Sequence, residues 1–261
     1  MTSDHIADPD HEVPHAHSHR CRWSPGQASW VCLGSGPAES VTAEPLVDVR
    51  DMIVAHTAML REFRLAPAAV TRTTPGDRRR ASAVASHIRF LCDLLHHHHE
   101  GEDALLWPKL RERTSSDALG VIEEAEAQHH DLASALHRVE ILRQAWADNP
   151  GGVQREELAL QLETLHTLLR DHLDLEERAL LPLAALVLTH AEWHAVGDAA
   201  VAAMPKSALP LAFGMFAYEG DPAVLTDMLA MAPPIPRKLL PLIAPRVYAR
   251  RARRVHGSAR P

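Results

Sequence analysis

The chain has 261 residues, 46% of them hydrophobic and only 4% aromatic, with a formal net charge of −7, enough apolar material for one sizeable core and a composition that favours helices. The longest strongly apolar stretch, Leu180 to Leu188, contains Pro182 and is too short to span a bilayer. Three cysteines, Cys21, Cys32 and Cys92, form no paired framework, and the first 20 residues are polar and unlike a signal peptide, so a soluble cytoplasmic protein without a membrane span is expected.

Residues 1–40 carry His5, His11, His15, His17 and His19 among scattered Pro, Gly and Ser, with no apolar periodicity, and read as a disordered His-rich tail. A first helix is expected from about Glu44 to Leu65, with Leu46, Val49, Ile53, Leu60 and Phe63 on a face that includes His56, and Pro67 marks the loop after it. A second runs from about Arg78 to Arg113, a third from about Ser116 to Asp148 and a fourth from about Val153 to Leu181. Short loops between four long amphipathic helices give an all-α fold, an up-down-up-down four-helix bundle over residues 41–188. Residues 189–261 form a C-terminal helical extension: Thr189 to Glu192 reads as a capping box, and Asp221-Pro222 as a cap with a first-turn proline.

Two stretches of the bundle are near copies. His98 is followed four residues later by Glu102, then by Asp103, and six residues after Glu102 by Pro108; His172, Glu176, Glu177 and Pro182 repeat the pattern. Upstream, His56 precedes His98 by 42 residues and His129 precedes His172 by 43. Residues four apart share a helix face, about 6 Å apart along the axis, so imidazole and carboxylate can converge between packed helices. Polar side chains at those core positions have the geometry of a metal site.

These phrases resemble the hemerythrin-like, HHE cation-binding domain over about residues 44 to 185. The resemblance implies a non-haem di-iron centre, with His56 and His98 on one metal, His129 and His172 on the other, and Glu102 and Glu176 bridging; Mn or Zn suit the donor set as well. It implies a protein that binds or reacts with oxygen, peroxide or nitric oxide, in sensing, scavenging or a peroxidase-like redox role. The alternative is a bundle that stores iron or holds a structural, non-catalytic metal. Oxygen-carrying hemerythrins place two histidines four apart on the third helix, whereas Ala133 and Ser134 follow His129 and His130 here. Glu126, three residues before His129, is a candidate replacement ligand.

Within His96 to His99, only alignment with His172 and Glu176 selects His98, leaving the others as outer or exposed residues; His129 is preferred to His130 on helical periodicity. His87, His137 and His166 read as packing or exposed residues, and His190 with His194 as surface or capping residues. No acid-base or nucleophilic triad is present. The last thirty residues hold eight cations and no acid, which leaves the rest at −15. That basic end either folds back on the acidic body or meets an anionic surface. No nucleic-acid partner is expected, and the sequence names no protein partner.

Overall fold

The computed structural model describes residues 21–24, 29–32, 44–230 and 232–261. Strands β1 (Cys21–Ser24) and β2 (Ser29–Cys32) pair antiparallel, Cys21 opposite Cys32. The rest of the segment expected to be a disordered tail lies outside the described residues. From residue 44 onward the fold is all-α.

Helix α1 (Arg50–Thr71) starts six residues later and ends six later than its periodicity indicates. Leu46 and Val47 form a bend before the helix, where their amides both donate to the Ala185 carbonyl, and Leu46 itself is exposed. At the other end the helix passes through Pro67, whose ring is buried beside Ala66 and Ala69. A proline interrupts one backbone hydrogen bond, and here packing on the bundle outweighs that loss. Gly76, at φ 84°, turns the chain into α2 (Arg78–Gly101), and the Asp77 carboxylate caps it by accepting from the Arg80 amide at 3.0 Å.

The second helical rod continues through a π-helical turn, Glu102–Leu106, into α3 (Trp107–Arg113). Helix α4 (Ser116–Asp148) follows, then α5 (Gly152–Leu175), a second π turn at Glu176–Leu180, and α6 (Leu181–Val187). Helix α1 packs on α2 and α5, and α4 packs on the same two, which closes a four-helix ring.

The capping box at α7 (His190–Ala203) is formed as the sequence indicates, and α7 lies on α2. Asp221 caps α9 (Pro222–Met228) by accepting from the Ala223 amide. Helices α8 (Leu209–Glu219) and α10 (Pro234–His256) pack closely together and both touch α1. Their contact depends on Gly214, where a Cβ would stand 2.3 Å from the Ala244 carbonyl oxygen. The basic C-terminal segment is thus docked through Ala244, Tyr248, Ala252 and Val255, all buried. No helix among the described residues is long and apolar enough to cross a membrane.

The core is split. One apolar cluster includes Met59, Leu95, Leu132 and Leu169; a second includes Met52, Leu106, Ala125 and Leu180. Between those pairs each helix of the bundle buries a His, and two of them a Glu as well: His56; His98, His99 and Glu102; His129; His172 and Glu176, so a polar layer lies between two apolar ones.

Candidate metal centre

Both His-x-x-x-Glu phrases end where an α-helix gives way to a π turn. The Trp107 amide reaches back five residues to the Glu102 carbonyl, and the Leu181 amide to the Glu176 carbonyl. The prolines of the repeat account for this. In an unbroken α-helix the rings of Pro108 and Pro182 would press on carbonyls four residues earlier, and a widened turn relieves that clash. Widened turns of this kind are frequent at functional sites.

Six expected residues, His56, His98, Glu102, His129, His172 and Glu176, are brought together and buried, none more than 8% exposed. His56 Nε2 lies 3.2 Å from His98 Nε2, and His129 Nε2 lies 3.1 Å from His172 Nε2. The carboxylates join the two pairs. Glu102 Oε1 is 3.3 Å from His98 Nε2, and its Oε2 is 3.6 Å from His129 Nε2. Glu176 Oε2 is 3.5 Å from His56 Nε2, and its Oε1 is 3.2 Å from His172 Nε2. Two donor groups can be marked out: His56, His98, Glu102 and Glu176; and His99, Glu102, His129 and His172.

The outer nitrogens decide the tautomers. His56 Nδ1 donates to Glu177 Oε1 at 3.1 Å, His129 Nδ1 donates to Asp103 Oδ1 at 2.7 Å, and His172 Nδ1 donates to Gln128 Oε1 at 3.1 Å. An imidazole that is neutral and donates from Nδ1 presents a bare lone pair at Nε2. His129 and His172 therefore face each other with two lone pairs. Beside them, all four oxygens of Glu102 and Glu176, and Nε2 of His99, are buried without a hydrogen-bond partner. Buried carboxylate oxygens without partners, set beside imidazole lone pairs, are a donor set suited to a cation. Two nitrogens bound at right angles, each about 2.1 Å from one ion, would be about 3 Å apart, which matches the spacing of both histidine pairs.

Protonation fits the same picture. Burial, then the neighbouring imidazoles, push His99 well below its ordinary pKa; burial and His56 push His98 down to about 3. Burial followed by His172 lowers His129. These rings are neutral near pH 7, ready to bind metal. Burial, then the charge of Glu176, then that of Asp103, raise Glu102 well above the usual carboxylate range. The metal-free pair thus keeps one proton, which an incoming cation displaces, and metal affinity should rise with pH. Potentiometric titration on metal addition should record that release in unbuffered solution.

Sequence reasoning places His99 outside the centre, and the structure corrects this. His99 is buried, stacks on the His129 ring at 4.1 Å between centroids, and meets His172 edge-on at 5.1 Å. His99 of α2 is the third imidazole beside His129 and His172, and Ala133 and Ser134 leave α4 without a second histidine four residues on. Glu126 is not its substitute, because Arg111 holds that carboxylate from across the hairpin at 2.5 and 3.1 Å. His96 and His97 are turned outward toward Glu100, and the exposed His190 lies 3.1 Å from His194. Trp107 and Trp193 are buried, their indole N–H groups bonded to Asp103 and Asp51.

The second acid of each repeat also has a place. Asp103 orients the histidine of α4 and Glu177 that of α1, so each phrase supplies one inward carboxylate and one support for a neighbouring helix. Asp103→Asn and Glu177→Gln should each weaken metal binding about 10- to 100-fold with little change in folding, which competition with a chromophoric chelator would measure.

Comparison with curated proteins and with solved structures gives no match. Residues 47–184, more than half of the chain, match the family model described as the hemerythrin HHE cation binding domain. That span begins just before α1, ends inside α6 and encloses every residue of the polar layer, which makes this a metal-binding helical protein: the chain belongs to the hemerythrin HHE cation-binding family.

Proposed function

We propose that the protein is a non-haem di-iron protein that binds oxygen, peroxide or nitric oxide at the centre of its bundle. His56 and His98 would hold one iron, His99, His129 and His172 the other, and Glu102 and Glu176 would be shared by both. The observation that carries this reading is the set of four partnerless carboxylate oxygens set among bare imidazole nitrogens. Two iron ions, when bound, would supply redox electrons and coordination positions for a small oxygen species.

The chain's own residues do the rest. Asp103, Gln128 and Glu177 fix the imidazole tautomers from outside, so that Nε2 rather than Nδ1 faces inward. Leu106, Trp107, Leu180 and Leu181 close one side of the polar layer, and Leu95, Leu132 and Leu169 the other, which keeps bulk water from the donors. Glu102 gives up its proton as the site fills. With His99 beside His129 and His172, the centre has five histidines in reach. A centre this rich in protein donors favours binding of the oxygen species over its turnover.

Iron reconstitution followed by elemental analysis should give two ions per chain, and the reduced form should change its near-ultraviolet absorption on mixing with oxygen. Two ions with no spectral response to oxygen, peroxide or nitric oxide would make the protein an iron store. Fewer than one tightly held ion would overturn the centre itself. In the same assay His99→Ala should weaken one of the two ions by about tenfold or more, whereas His190→Ala should bind as the parent does.

A further inference from the structure

We propose that the outward face of α10 docks on an anionic lipid bilayer, and that the protein is a peripheral membrane-binding member of its family. The inward face of this helix, Ala244, Tyr248, Ala252 and Val255, is spent on the bundle. The opposite stripe recurs at steps of three and four residues: Ile235, Leu239 and Leu242, then Arg246, Arg250 and Arg253. Its first half is apolar and open to solvent. Ile235 is 71% exposed, Leu239 47%, Leu242 60% and the adjacent Ile243 42%, so four of the nine exposed large hydrophobic side chains among the described residues fall within nine positions. Its second half is three exposed guanidinium groups, and no acid follows Asp227 in the sequence.

A second basic surface adjoins this stripe. Where the last turns of α10 pass the first turns of α2, Arg79, Arg80, Arg251 and Arg254 line a cleft with Ser82 and Ser86. Its one acid, Asp77, is engaged in capping α2. Guanidinium groups with hydroxyls beside them suit phosphate, which Arg binds in a forked geometry.

The occupant must offer hydrocarbon and negative charge side by side to a convex helix. A bilayer does so: the apolar half enters the headgroup boundary while the arginines meet phosphates. A folded protein would need a groove shaped to this ridge. The charge distribution also orients the molecule, because the chain before residue 232 carries a net −15 and, apart from the Arg79 and Arg80 corner beside α10, is repelled by an anionic surface. Only the α10 side can approach, and the metal centre stays out of the lipid.

The test is co-sedimentation of the full chain with vesicles of phosphatidylcholine containing about a third phosphatidylserine, against pure phosphatidylcholine, at low and physiological salt. Binding should require the anionic lipid and weaken with salt. The triple variant Arg246→Glu, Arg250→Glu, Arg253→Glu should lose about a hundredfold in partitioning, from about 1 kcal/mol per basic residue near the surface. Leu239→Ser with Leu242→Ser should lose about tenfold or more, since both side chains would leave hydrocarbon. All five positions are exposed, and unchanged circular dichroism and metal content would show that the variants fold. Equal binding to both vesicle types, or to neither, would overturn the proposal. So would unchanged binding by the leucine variant, the mark of a site for polyanions such as RNA. Self-association without lipid, abolished by the same substitutions, would assign the face to a second copy of the chain.

Discussion

Glu176→Ala and Glu102→Ala should each leave the protein with almost no tightly bound metal, whereas His56→Ala should spare part of the binding. The difference lies in reach. One oxygen of Glu176 approaches the His56 pair and the other approaches His172; Glu102 divides itself between His98 and His129 in the same way. If two ions bind as proposed, removing either carboxylate would take an anionic donor from both. A terminal histidine removes one neutral donor from one ion.

The same carboxylates should oppose stability when no metal is present. Glu102 is buried beside Glu176, and its raised pKa means that folding disfavours its charged form. Its contribution is intact below the ordinary carboxylate pKa, declines as pH rises above it, and is lost entirely once the folded-state pKa is passed. Glu102→Gln should therefore melt at the same temperature as the metal-free parent or higher near pH 7, while failing to gain the stabilisation that metal gives the parent. Thermal melts of both proteins, with and without iron, measure the two effects together. A metal-free Glu102→Gln protein that melts well below the parent would show that the buried carboxyl group serves the fold rather than the centre.

The duplicated phrase was legible because a spacing of four lies within one helix and needs no knowledge of the partner helices. The bundle was legible for the same reason, each helix carrying its own apolar stripe. His99 was not, since a residue adjacent to His98 projects about 100° away around the helix and belongs to the centre only because two separate donor groups exist to be served. Asp103 and Glu177 were visible as a repeated acid, but their role depends on which neighbouring histidine they meet, and that contact crosses helices. The loss of Glu126 to Arg111 is likewise a contact across a hairpin. At Pro67 a local signal for a break was overridden by burial of the ring.

The largest effect on folding should come from a residue that has no part in metal binding. Glu62 is fully buried on α1, one oxygen accepting from the Tyr248 hydroxyl and the Arg61 guanidinium, the other from His87 at 2.8 Å and His256 at 3.2 Å. Two imidazoles and a carboxylate resemble a metal site, yet the ring nitrogens are used the other way round. Here Nε2 donates to the carboxylate and Nδ1 of both rings is partnerless, whereas at the metal centre Nδ1 of His56, His129 and His172 is held and Nε2 is bare. A carboxylate this well supplied with donors needs no cation, and it ties α2, through His87, and the C-terminal half of α10, through Tyr248 and His256, to α1. Burial alone would raise its pKa, but the bonds from His256, His87 and Tyr248 outweigh that and hold it well below the usual range. Its contribution is present above the ordinary carboxylate pKa and is lost as pH falls. Glu62→Gln should cost about 3 to 5 kcal/mol, because Arg61 would keep only the half-exposed Glu219 as an anionic partner. Chemical denaturation near pH 7 should show that loss with the metal content of the folded fraction unchanged. Deleting residues 246–261 should act in the same direction, since it removes Tyr248 and His256 while leaving every donor of the metal centre in the chain. If either change instead emptied the centre without destabilising the fold, the clasp at Glu62 would have to be reassigned to the chemistry of the site.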